Sequence, residues 1–351
     1  MKEIQQLIEI SQQYGRDRRF VIAGGGNTSY KNSEKIWVKA SGSSLATITE
    51  EGFAVLDRSL LHPMAEKIYS THAAEREEQV KNDLAAATLT KDKRPSVETS
   101  MHNVIDYPFV VHLHPTAVNG LMCAQDAEAS LKKLFGEKTL FVEYTDPGYV
   151  LFKKVYDRIK EHRMAYNEEP KVIWLQNHGI FVAAGTIGEI QTIYSDILDT
   201  LERSVSDRLL VGERELSHNV GELVPALRMM LSGDGLKTVR VRNNALIGYY
   251  CGSAENQQDI VRPFTPDAIV YCKSNYLFLN EDTSGSVLSE AQKEIPAFVD
   301  KYGYQPKVLL VRGVGLIAVG EHARECDIIL DVFEDAMKVA WLSRSFGGPH
   351  P

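Results

Sequence analysis

The sequence predicts an α/β protein built from two successive units, and three observations carry that prediction. Over residues 1–210, segments with helical apolar spacing alternate with short apolar runs of strand length. The chain has 351 residues, more than one core commonly serves. Finally, VGERELSHNVGEL at 211–223 has few large apolar residues and no clear period, so the domain junction falls there, between a first domain at 1–210 and a second α/β domain at 220–351. The elements follow in order. MKEIQQLIEISQQYG sets Ile4, Leu7 and Ile8 at helical spacing among polar residues, which is an amphipathic helix ending at Gly15 and not a signal peptide. A short apolar strand then leads into a glycine turn at 24–26, followed by a strand at Ile36–Lys39. Pro95 and Ser96 open a helix, with Ser96 as the N-cap and Glu98 in the first turn. The strand Phe109–Leu113, the helix Gly148–Arg163, the strand Val172–Leu175 and a helix from Ile187 to about Arg208 complete the first unit.

The second unit reads as a degenerate copy of the first. KVIWLQNHGIFVAAG at 171–185 has a partner in KVLLVRGVGLIAVG at 307–320, and a long amphipathic helix follows each. EKIWVKASG at 34–42 likewise pairs with DAIVYCKSN at 267–275. In that copy Val314 stands where the first unit has His178, so the second unit is expected to be structural.

Bulk properties narrow the function. A net charge of −8 without any Lys/Arg block argues against nucleic acid or an anionic membrane as the main partner, while leaving room for a locally positive pocket that takes an anionic small molecule. Cys123, Cys251, Cys272 and Cys326 are far apart with no CxxC spacing, which points to buried free thiols. No apolar run approaches the roughly 18 residues of a membrane span, and a cytoplasmic location is expected.

The chemistry concentrates in a few positions. In VVHLHP, His112 and His114 lie two apart on a strand, so both imidazoles emerge on one face, as two ligands of one metal would. His178 ends another apolar strand in NHG, where the glycine permits a tight turn and close approach. Three neutral imidazoles with an open fourth position suit a catalytic Zn²⁺, whereas a structural site would be closed by four ligands. Glu98 at a helix start is also what dipole compensation alone would place there, and His102 one turn later reads as a residue that packs or bonds locally. Gly24, Gly25, Gly26 and Asn27 can aim backbone N–H groups at an anion, with Ser41-Gly42 and the helix start at Ser96 as further donors. GVGLIA at 313–318 has dinucleotide-type glycines, but strand-like residues follow them and not a helix start.

Taken in order, GGGNTSYK, VKASG, PSVE, HLHP and QNHG resemble the sequential motifs of the class II aldolase/adducin family over residues 1–210. PSVETSMH, HLHP and FVEYTDPGYVL are most similar to the aldolase half of bifunctional rhamnulose-1-phosphate aldolase/alcohol dehydrogenases. The resemblance implies a three-layer α/β/α unit and a Zn²⁺-dependent retro-aldol cleavage of a ketose 1-phosphate, rhamnulose- or fuculose-phosphate-like, to dihydroxyacetone phosphate and an aldehyde. By position it implies zinc ligands at His112, His114 and His178, a catalytic carboxylate at Glu98 with its pKa raised toward neutrality, and phosphate contacts at Asn27, Ser41, Gly42 and Ser96. It also implies Tyr144 as a proton donor reaching a neighbouring subunit, and hence a homo-oligomer, fourfold in symmetry. Many family aldolases have a second serine where Val97 stands. The same site chemistry serves 4-epimerases and dehydratases, and the adducins use the fold for interaction without the ligands.

Overall fold

A computed structural model describes residues 1–216, 220–233, 235–280 and 284–351. The chain divides into a first unit, Met1–Met122 with Asp126–Ser204, and a second, Cys123–Gln125 with Val205–Pro351. Residues 217–219 of the expected junction lie outside the described residues.

The first unit is built on one sheet of seven strands: β1 (Asn27–Lys31), β2 (Lys35–Lys39), β3 (Phe53–Asp57), β4 (Phe109–Leu113), β5 (Leu140–Val142), β6 (Val172–Leu175) and β7 (Gly179–Ala184). They lie in the order β3-β2-β1-β4-β7-β6-β5, antiparallel throughout except for the parallel pair β5/β6. Alternation along the strands assigns the faces. Ile36 and Val38 of β2 join Val80 and Leu84 of the helix Ala73–Ala87, whereas Trp37 between them joins Ile4 and Leu7 of the helix Lys2–Arg16. Val110, Ile173 and Phe181 pack with Leu151, Phe152 and Val155 of the helix Tyr149–Tyr166. On the face of Trp37, Tyr194 of the helix Ile187–Ser204 donates its hydroxyl to the Val111 carbonyl at 3.0 Å and packs against Tyr14. Helices thus cover both faces, giving the three-layer α/β/α unit.

Three local expectations are corrected. No strand precedes the glycines among the described residues: residues 20–26 are turns and irregular backbone, and the strand begins at Asn27 behind them. The helix after Ser96 starts at Thr99, so Glu98 sits at the cap position and not in the first turn; Ser96 instead closes the preceding turn, its carbonyl accepting from Thr99 N–H at 3.1 Å. The last helix of the unit stops at Ser204 instead of Arg208.

The second unit holds a sheet of four strands, β8 (Thr238–Arg242), β9 (Leu277–Leu279), β10 (Val308–Val311) and β11 (Gly315–Gly320), in the order β8-β11-β10-β9. This repeats β4-β7-β6-β5 in direction and register. Leu175↔Gly179 in the first sheet corresponds to Val311↔Gly315 in the second, and Leu113↔Ile180 corresponds to Arg242↔Leu316. Details outside the sheet repeat as well. The helices Tyr149–Tyr166 and Ser284–Tyr302 both end at a residue of positive φ, Asn167 or Gly303, a helix stop in the left-handed region. Lys171 pairs with Glu189 as Lys307 pairs with Glu325. The proposed match of 34–42 to 267–275 fails, however. Residues Pro266–Cys272 form a helix, because Thr265 caps it by accepting from Ala268 N–H and Pro266 occupies its first turn. All four cysteines are free and buried. Among the described residues no helix is long and apolar enough to cross a membrane.

Candidate metal centre

Strand β4 lies between β1 and β7, and its residue His112 is paired with Asn27 on one side and Phe181 on the other. His114 follows two residues later, just past the strand. His178 arrives from the β6–β7 turn, which Asn177 enters with φ of 55°. Gly179 lets that turn come close: a Cβ there would stand 2.5 Å from the Leu113 carbonyl oxygen and 2.6 Å from His114 Cδ2. The ring centroids of the three histidines are 4.8, 5.0 and 5.1 Å apart. One ligand atom from each lies within 4.8 Å of the others, a group that would hold a metal ion.

The donor chemistry fits a metal. His112 Nδ1 faces the Ile180 carbonyl at 3.0 Å. A carbonyl only accepts, so Nδ1 carries the proton and Nε2 keeps its lone pair. Burial pushes the His112 pKa down to about 4, which leaves the ring neutral near pH 7. His112 Nε2 and His114 Nε2 are 3.0 Å apart, and Glu98 Oε1 lies 3.3 Å from His112 Nε2 and 3.2 Å from His178 Nε2. With bonds of about 2.0–2.1 Å, tetrahedral ligand atoms sit roughly 3.3 Å apart. Those three separations are near that length, and the three histidine ligand atoms all lie within 4.8 Å of one another.

Two effects act on Glu98: burial opposes its charge, while protonated His112 or His178 rings would hold the carboxyl well below the ordinary carboxylate range. Its second oxygen accepts from the Asn27 side-chain amide. Ser41, Gly42 and Ser96 gather along the same edge. Ala40 bridges to Pro95, Ser41 Oγ donates to the Pro95 carbonyl at 3.1 Å, and Ser96 Oγ accepts from Glu98 N–H at 3.2 Å. Gly42 turns with φ of 88°, a conformation suited to glycine. Val97 beside them is exposed. Tyr144 is 55% exposed on the loop after β5, its hydroxyl donating to Asp146 at 3.1 Å and its N–H to Gln176, in the turn that carries His178.

Sequence reasoning missed the layer behind these groups. Phe181 stacks on His112 at 4.1 Å, Ser29 binds His102, and Lys31 donates to the His102 carbonyl at 2.8 Å. Burial pushes His102 down to about 3 and Lys31 down to about 7. The period-two spacing of Asn27, Ser29 and Lys31 was the available signal, hidden because the strand's apolar content is low.

Residues 5–194 match the family described as the Class II Aldolase and Adducin N-terminal domain, and the chain belongs to that family. A curated relative from Bacillus subtilis, YuxG, described as an uncharacterized oxidoreductase, is 28% identical over 218 residues. That match takes in 59% of this chain but only 30% of the relative's length. The N-terminal class II aldolase domain of a conserved protein from Thermoplasma acidophilum is 25% identical, covering 57% of this chain and 92% of that one, with a TM-score of 0.49. An L-fuculose 1-phosphate aldolase is 17% identical over 57% of this chain and 83% of its own, with a TM-score of 0.39.

Proposed function

We propose that this chain is a Zn²⁺-dependent aldolase that cleaves a ketose 1-phosphate, rhamnulose- or fuculose-phosphate-like, to dihydroxyacetone phosphate and an aldehyde. The observation that carries the reading is the buried carboxyl of Glu98 standing 3.2–3.3 Å from two imidazole nitrogens of a three-histidine cluster. A structural site would close itself with a fourth permanent ligand, whereas a carboxylate at this edge can also serve as a base. His112, His114 and His178 hold the Zn²⁺, which when bound supplies a Lewis acid for the carbonyl and hydroxyl of the substrate. Glu98 moves the proton at the carbon that becomes nucleophilic on cleavage, and the Asn27 amide holds it in place. Ser41, Gly42 and Ser96, with Asn27, bind the phosphate. Tyr144, reaching from a neighbouring subunit of a homo-oligomer, handles the proton of the hydroxyl that becomes the aldehyde's carbonyl, taking it up on cleavage and giving it back in the reverse condensation, and the second unit has a structural role.

The redox name of the Bacillus relative is not carried over, since most of that protein lies outside the match. The test is metal content per chain on protein purified without added metal, with retro-aldol assays on rhamnulose and fuculose 1-phosphates that follow dihydroxyacetone phosphate. About one zinc with product establishes the reading. Zinc without product moves it to 4-epimerisation or dehydration, and no zinc moves it to a binding role.

A further inference from the structure

Strand β1 presents Asn27, Ser29 and Lys31 on one face, and each of them engages the segment from Glu98 to His102. The Asn27 amide donates to Glu98 Oε2, Ser29 Oγ meets His102 Nδ1 at 2.7 Å, and the Lys31 ammonium donates to the His102 carbonyl at 2.8 Å. The His102 N–H in turn donates to the Glu98 carbonyl at 3.1 Å. The helix Thr99–Val104 has six residues, too few to hold a position by its own propensity, so these bonds decide where Glu98 stands. The other edge of the His102 ring meets Phe181 at 5.3 Å and 71°, and Phe181 lies nearly parallel to His112 at 4.1 Å and 18°. His102 and Ser29 are both fully buried, and His102 Nε2 has no hydrogen-bond partner among the described residues. An apolar side chain there would avoid that desolvation cost, so packing alone does not account for a histidine.

We propose that His102 is a positioning residue: gripped by Ser29 on one edge and wedged against Phe181 on the other, it sets the separation between the Glu98 carboxylate and the metal-binding nitrogens. The inference rests on the reading of Glu98 and the three histidines as a metal-dependent active site. It assigns no role at the substrate to His102 itself.

The test uses the full chain loaded with Co²⁺, whose visible absorption reports its ligand field. Wild type, Glu98→Gln, His102→Phe, His102→Asn and Ser29→Ala are compared for cobalt per chain, visible spectrum, and kcat and KM on the sugar phosphate that the wild type cleaves. His102→Phe is expected to keep cobalt, to move the visible bands in the direction that Glu98→Gln moves them, and to lower kcat on the order of 10–100-fold with KM nearly unchanged. His102→Asn keeps a hydrogen-bonding atom for Ser29 and is expected to restore most of both, while Ser29→Ala reproduces the loss in milder form. A His102→Phe protein with wild-type spectrum and kcat overturns the proposal, as does a His102→Asn protein no better than His102→Phe. A wild type that binds no cobalt brings down the active-site reading and the proposal with it. Cobalt binding with an unmoved His102→Phe spectrum brings down the proposal alone.

Discussion

At the residue scale, the centre separates groups that bind a metal from the group that moves a proton, and substitutions should separate them too. Glu98→Gln keeps the shape and one acceptor oxygen, so the expected protein retains about one metal per chain and loses most turnover. His112→Ala removes a buried ligand whose tautomer is fixed by the Ile180 carbonyl, and the expected protein loses metal as well. Atomic emission on both variants, alongside retro-aldol rates, reads the difference; normal rates in Glu98→Gln would refute the acid/base role. The buried imidazoles also predict an acid sensitivity. His112 and His102 have folded pKa values of about 4 and about 3, below the unfolded value of about 6.5. The unfolded chain therefore takes up protons first as pH falls. Stability is fully present above pH 6.5 and drains between pH 6.5 and 4, by about 1.4 kcal/mol per pH unit for each group. Denaturant unfolding of metal-free protein from pH 7 to 4 should show that slope, and the His102→Asn variant should flatten it. A pH-independent midpoint would remove both rings from the account.

At the element scale, what could be read from the chain depended on how far apart the partners lie in it. Phe109–Leu113 and Val172–Leu175 were legible to the residue because they are mostly apolar runs of strand length, buried along nearly all of it. The histidine pair was legible because a spacing of two on a strand fixes one face. Strand β1 was not legible, since NTSYK is polar on the face that docks the Glu98 helix, and its pairing of Asn27 with His112 spans most of the first hundred residues. The match of 267–275 to 34–42 failed because AIVYC has strand composition, whereas Thr265 and Pro266 open a helix there. One steric feature repeats in both sheets and gives a paired prediction. The missing Cβ of Gly179 faces the Leu113 carbonyl at 2.5 Å, and that of Gly315 faces the Arg242 carbonyl at 2.5 Å. Gly179→Ala and Gly315→Ala should each destabilise by about 1–3 kcal/mol, with Gly315 at the upper end because its φ is 133°. Only Gly179→Ala should also weaken metal binding, since only there does His114 line the contact. Equal metal affinities in the two variants would show that the β6–β7 turn does not set the cluster's geometry.

At the scale of the whole molecule, the second unit shares the strand order and register of β4-β7-β6-β5 but not the histidines that the first unit places there. Shared register places Val241 where the first unit has His112, Asn243 where it has His114, and Val314 where it has His178. Two valines offer no lone pair and one amide is a poor partner for a soft divalent ion, so the chain should bind one metal, not two. Because a metal stabilises only the state that binds it, by about 2.7 kcal/mol when free metal is a hundredfold above Kd, saturation should raise the unfolding of the first unit and leave that of the second in place. Calorimetry with and without a chelator would show one transition moving against one fixed, whereas a single transition would mean that the units unfold together and two moving transitions that both bind. The scaffold itself can be interrogated by placing histidines at these positions. The combined substitutions Val241→His, Asn243→His and Val314→His should carry metal content from about one toward two per chain if the two sheets are equivalent down to the strand ends. A stoichiometry that stays at one would mean that the copy has drifted beyond the register its backbone still shows.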